Sequence, residues 1–84
     1  MSVVRIPPTL REDTRGEREV LAEGETVRDI LDDLTARFPS LGGKLEFANV
    51  YVGGEDVRTR DGYETAVSPT DTVILLPAMA GGGG

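Results

Sequence analysis

One stretch of this chain is built as an α-helix, and it has a single face to bury. Val27, Ile30, Leu31, Leu34 and Phe38 fall at i, i+3, i+4, i+7 and i+11, one apolar stripe at the helical period. Thr26 reads as its N-cap, with Asp29 three residues on as a variant of the capping box. Asp32 and Asp33 read as a solvated face. Arg37 suits the negative end of the helix dipole, and Pro39 stops the run. A lone helix must cover its stripe with a sheet, so the rest of the chain has to supply one. At 84 residues, with 38% hydrophobic and 29% charged, it has room for one small core.

The remaining segments read as strands and turns. Val3 to Ile6 is a short strand stopped by Pro7-Pro8. Thr9 to Gly16 is polar and turn-like, and Glu17 to Ala22 returns as a second strand, giving a hairpin. Gly24 breaks that strand. Ser40 to Glu46, with Gly42-Gly43, reads as a loop. Phe47 to Val52 is a strand with Ala48, Val50 and Val52 on one face and Asn49 and Tyr51 on the other. Gly53-Gly54 supplies the positive φ of a tight hairpin turn, and Glu55 to Arg58 is the return strand. Arg60 to Thr65 is irregular, and Ser68-Pro69-Thr70-Asp71 is a turn. Thr72 to Leu76 is apolar on both faces, which predicts the centre of the sheet. The order is strand, strand, helix, strand, strand, strand. It predicts an α+β domain over residues 1–77, a small mixed sheet with one main helix on one face.

Charge and composition exclude several functions. The net charge of −6 repels nucleic acid and anionic membranes, and the basic residues are scattered from Arg5 to Arg60 without a block. There is neither cysteine nor histidine, which removes thiol chemistry, the commonest general base and the commonest metal ligand. Glu55-Asp56 puts two carboxylates together without further ligands, so no metal site is expected. No phosphate-cradling glycine loop is present. The reading is therefore not an enzyme. The apolar run at the start is too short for a signal peptide and no stretch could span a bilayer, so the expected location is the cytoplasm.

The last strand runs through Pro77 into Ala78-Met79-Ala80 and then Gly81-Gly82-Gly83-Gly84. Glycine lacks a Cβ, so an extended glycine tail can thread a slot too narrow for other residues. Residues 78–84 are expected to form a flexible tail that carries the terminal carboxylate into another protein's active site. Extended, Pro77 to Gly84 would reach about 26–29 Å. Beside the tail, strand alternation predicts a docking surface. If Val73 and Leu75 face the helix, Ile74 and Leu76 face away, next to Tyr51 and Val3. With Pro77, Met79 and Ala80 they would form an exposed apolar patch for a protein partner.

Three pieces in order carry a resemblance: Arg5-Ile6-Pro7-Pro8-Thr9-Leu10-Arg11, then Phe47 to Val52 with Glu55-Asp56-Val57-Arg58, then Asp71 to Gly82. Together they resemble the ubiquitin-like β-grasp sulfur carriers of the ThiS/MoaD family, closest to the CysO type. The resemblance implies a protein cosubstrate that binds no cofactor. An adenylating, E1-like partner would spend ATP to turn the terminal carboxylate into an acyl-adenylate. A sulfur source would displace AMP to leave a thiocarboxylate, and a sulfur-acceptor synthase would take the sulfur for cysteine or a sulfur-containing natural product. Members of the family usually stop at the diglycine, here Gly81-Gly82, whereas this chain continues with Gly83-Gly84. The reacting end is then Gly84 with Gly83 as written, or Gly82 with Gly81 if a protease trims the tail. The alternative is a ubiquitin-like protein modifier, or a small subunit that inserts its tail into a partner enzyme.

Overall fold

The computed structural model describes residues 1–77. Five strands are present: β1 (Ser2–Arg5), β2 (Glu19–Ala22), β3 (Ala48–Val52), β4 (Glu55–Asp56) and β5 (Thr72–Pro77). They form one sheet in the order β2-β1-β5-β3-β4, so β5 sits at its centre as its two apolar faces predict. β1 and β5 run parallel and every other pairing is antiparallel, which makes the sheet mixed. The long helix α1 (Val27–Arg37) lies across one face.

The helix forms for the reasons its sequence gives. Thr26 is extended, and its hydroxyl accepts a hydrogen bond from the Asp29 N–H at 3.2 Å. Asp29 reaches one residue further back than a capping box requires and accepts from the Glu25 N–H. Val27, Ile30, Leu31 and Leu34 are buried against Val4, Val20, Ala22, Val50, Val52, Val73 and Leu75 of the sheet. Phe38 closes the helix half-buried. Arg37 bonds both Asp33 and the Leu21 carbonyl, so the last turn is tied to β2. The crossover ties down the first turn. The Val27 N–H donates to the Thr65 carbonyl and the Val67 N–H to the Glu25 carbonyl.

Three segments depart from the sequence reading. Residues 9–16 are not merely polar turn: Pro8–Thr14 is a 3₁₀ helix that buries Leu10 and Thr14. The expected loop at Ser40 to Glu46 instead holds a 3₁₀ turn (Pro39–Leu41) and one helical turn, α2 (Gly42–Leu45), burying Leu41 and Leu45. Core demand overrode the local glycines here, and the i, i+4 spacing of Leu41 and Leu45 was the available signal. The return strand after Gly53-Gly54 lasts two residues rather than four, because Asp56 caps a 3₁₀ turn at Val57–Thr59 that buries Val57. A third short 3₁₀ turn, Gly62–Glu64, lies in the stretch read as irregular.

Asp13 joins the first 3₁₀ segment to the 40s. Its carboxylate accepts from Ser40 Oγ and Lys44 Nζ, both at 2.7 Å, and its side chain is only 9% exposed. The hydrogen bond from Lys44, then that from Ser40, holds this carboxyl below the usual range. A carboxyl depressed in the folded state stabilises above its unfolded pKa, and that contribution is lost as pH falls through the folded value. Thermal unfolding midpoints should thus stay level near neutrality and fall below about pH 4. Asp13→Asn should make that acid limb shallower. Two packing variants test the core by urea unfolding. Leu34→Ala, at a fully buried site, should cost about 2–5 kcal/mol. A Cβ on Gly24 would stand 2.5 Å from Asp29 Cβ and 2.9 Å from the Ile30 nitrogen, so Gly24→Ala should cost about 1–3 kcal/mol.

Candidate functional site

Among the described residues no element lies over the sheet face turned away from α1, and strand register decides what that face displays. Glu19 pairs with Arg5, Arg5 with Ile74, Ile74 with Tyr51, and Tyr51 with Asp56. These five residues make one row across all five strands. Alternation puts them opposite the core set, since Val4, Val50, Val73 and Leu75 are buried on the other face. Ile74 and Tyr51 are half-buried at the centre of the row. Leu76 stands next along β5, opposite Asn49, and is 42% exposed. Pro77 pairs with Ala48 at the end of β5 and is the last described residue.

The two ends of the row are charged. Arg5 Nε lies 3.9 Å from Glu19 Oε2, and Arg58 lies 2.7 Å from Asp56 Oδ2. The Arg58 guanidinium, then its backbone N–H, lowers the Asp56 carboxyl below its ordinary range. The Arg5–Glu19 pair, exposed on both sides, contributes little to folding. An apolar centre with a polar rim is the usual anatomy of a protein interface.

The sequence reading grouped Tyr51, Ile74, Leu76 and Pro77; the register puts Tyr51, Ile74 and Leu76 on one face, while Pro77 alternates with Val73 and Leu75 and adjoins them only at the end of β5. Val3, also named, shares the face two places along, between Leu21 and Thr72. Met79, Ala80 and Gly81 to Gly84 lie outside the described residues. Two features were missed. Arg5, Arg11 and Arg18, scattered in the sequence, line one groove with Ile74, Leu76 and Pro77 at the end of β5. The hairpin brings them there, with the Ile6 N–H donating to the Arg18 carbonyl and Arg11 Nε to the Ile6 carbonyl. Glu17 and Glu19 line the same groove, so the last described residue of β5 adjoins a surface of mixed charge. Phe47, 70% exposed, precedes the residue paired with Pro77, so it stands at the same end of the sheet. Only the antiparallel register of β3 on β5 reveals that neighbour.

Among the described residues, no cluster of three or more His, Cys, Asp or Glu could hold a metal ion, and no helix is long and apolar enough to cross a membrane. What the arrangement offers is a surface, with the last described residue, Pro77, at its edge.

The ThiS family model matches residues 4–82. The sulfur carrier protein CysO of Mycobacterium tuberculosis is 43% identical over 94% of this chain and 96% of its own length. A crystal structure of the Amycolatopsis orientalis BexX/CysO complex contains a chain that superposes with a TM-score of 0.87. That chain is 41% identical, across 93% of this chain and 96% of its own length. The small archaeal modifier protein 1 of Methanosarcina acetivorans superposes with a TM-score of 0.86 at 26% identity, covering 95% of this chain and 94% of its own. With its ubiquitin-like β-grasp fold, this chain belongs to the ThiS family and is similar to its CysO sulfur carriers.

Proposed function

We propose that this protein is a sulfur carrier, a cosubstrate and not a catalyst, whose C-terminal glycine carboxylate is the reacting group. The observation that carries the reading is the position of β5. One strand both presents Ile74 and Leu76 on the uncovered face and leads directly into the glycine tail at Pro77. A partner that docks on that face receives the tail at its edge. The similarity to CysO sulfur carriers, one of them crystallised with BexX, supports the same reading.

The chemistry runs on the partners. An adenylating enzyme positions ATP so that the tail carboxylate attacks the α-phosphorus and pyrophosphate leaves. Sulfide, or a sulfur donor, then attacks the acyl carbon, AMP departs, and a thiocarboxylate remains. A sulfur-acceptor synthase takes that sulfur for cysteine or a natural product. The carrier's contribution is recognition and delivery. The row of Tyr51, Ile74 and Leu76, with Pro77, Met79 and Ala80, forms the docking surface. Gly84 and Gly83 provide the reacting end, or Gly82 and Gly81 after trimming by a protease. The setting is the cytoplasm, where ATP is available.

Likeness to a small archaeal modifier protein supports a second reading, in which the tail is joined to an amine of a target protein. Intact-mass measurement after incubation with an adenylating enzyme, ATP and sulfide separates the two. A gain equal to one oxygen exchanged for one sulfur, located at the C-terminus, is expected. Amide-linked adducts in its place would establish the modifier reading, and an unchanged mass with an enzyme competent on a known carrier would refute both. Ile74→Glu tests the surface. The side chain is half-buried on the uncovered face, so the fold should persist while affinity for the adenylating enzyme drops about tenfold or more. Unchanged affinity with an intact fold would remove Ile74 from the interface.

A further inference from the structure

A protein that carries an activated acyl group runs a chemical risk from its own nucleophiles. An acyl-adenylate reacts with any free amine, thiol or imidazole held close to it, and other copies of the carrier are present wherever one is activated. This sequence contains no cysteine and no histidine, and Lys44 is its only lysine. That side chain is 52% exposed, so access alone does not protect it. Its engagement is what sets it apart. Its ammonium donates to Asp13 Oδ2 at 2.7 Å, and Asp13 is itself fixed by Ser40 and nine-tenths covered. An acceptor held on both oxygens and shielded from water binds a cation more firmly than a loose surface carboxylate does.

We propose that Asp13 and Ser40 mask Lys44, the one side-chain amine of the sequence, by tethering it in a hydrogen-bonded ion pair, so that the activated tail of one copy is not captured by another. The reaction prevented is explicit. A deprotonated Lys44 nitrogen attacks the activated acyl carbon, an N–C bond forms, the bond to the leaving group breaks with its electron pair, and the amine proton goes to solvent. The product is an isopeptide-linked pair of chains whose donor has lost its carboxylate. The masking rests on the sulfur-carrier reading for its purpose but not for its chemistry, so the two fail separately.

The test measures amine reactivity first. Full-length protein is treated with an N-hydroxysuccinimide ester of acetate in the presence of Nα-acetyl-lysine amide as internal standard, and acetylation of Lys44 is followed by peptide mapping. Lys44 should react about three- to tenfold more slowly than the standard, and Asp13→Ala should close that gap. Equal rates in the unmutated protein would overturn the proposal without recourse to any variant. The second arm uses full-length protein bearing a C-terminal thioester, which needs no adenylating enzyme. Lys44-linked dimers should accumulate faster in Asp13→Ala than in the unmutated chain and vanish when Lys44→Arg is added. Dimers forming equally fast with Asp13 intact would also overturn it. If the carboxylate never becomes a thiocarboxylate, the carrier reading falls while both amine measurements keep their meaning.

Discussion

β5 is the constraint on which the rest of the structure depends. Its alternate side chains serve two masters: Val73 and Leu75 are sealed against α1, while Ile74 and Leu76 face out. Two different neighbours flank it, β1 in parallel and β3 antiparallel, so its backbone is satisfied on both edges. A one-residue slip of β5 would exchange the two sets, putting Ile74 and Leu76 into the core and Val73 and Leu75 on the surface. The core and the outward face proposed for docking are thus fixed by a single register. The glycine-rich end follows in sequence on that same strand, whose last described residue is Pro77.

Charge is distributed with the same economy. The chain is acidic overall, yet Arg5, Arg11 and Arg18 gather at the groove where β5 ends. Glu17 and Glu19 line the same groove, so the charge at that end of the sheet is mixed rather than uniformly acidic. The helix face bearing Asp32 and Asp33 is on the opposite side of the sheet from the docking row, so the two charge patterns do not meet. The polar contacts differ in reach. Arg5–Glu19 is exposed on both sides and long, Arg58–Asp56 is covered on the carboxylate side but joins residues two apart, and the Asp13 contact is covered on the carboxylate side and links two segments far apart in sequence.

Much of this architecture was legible because the local signals agreed. The stripe from Val27 to Leu34 between Thr26 and Pro39 admits little except a helix. The Gly53-Gly54 pair shows the positive φ values, 59° and 86°, that a tight hairpin turn needs. Where the reading failed, a small core had recruited residues from segments that look like loops. Leu10, Leu41, Leu45 and Val57 are all buried on short helical turns with proline, glycine or aspartate at their edges. Local propensity favours turns there, and only the unfilled volume around the sheet decides that those turns close inward. In the candidate site, alternation alone linked Ile74 to Leu76, and the central position of β5 was enough to suggest Tyr51 as their neighbour.

The sequence by itself determined one helix with one apolar face, a last strand apolar on both, and a glycine tail after it, because each of these is written in the spacing of neighbouring residues. It determined also that thiol and imidazole chemistry are absent. Tertiary structure decided which strands touch. It set Arg5 against Ile74 and Tyr51 against Asp56, drew three distant arginines to one groove, placed Phe47 beside the end of β5, and closed Asp13 on the only lysine. The physical reason is that periodicity fixes which side a residue faces, whereas its neighbour across a strand or a groove depends on the register and packing of segments distant in the chain.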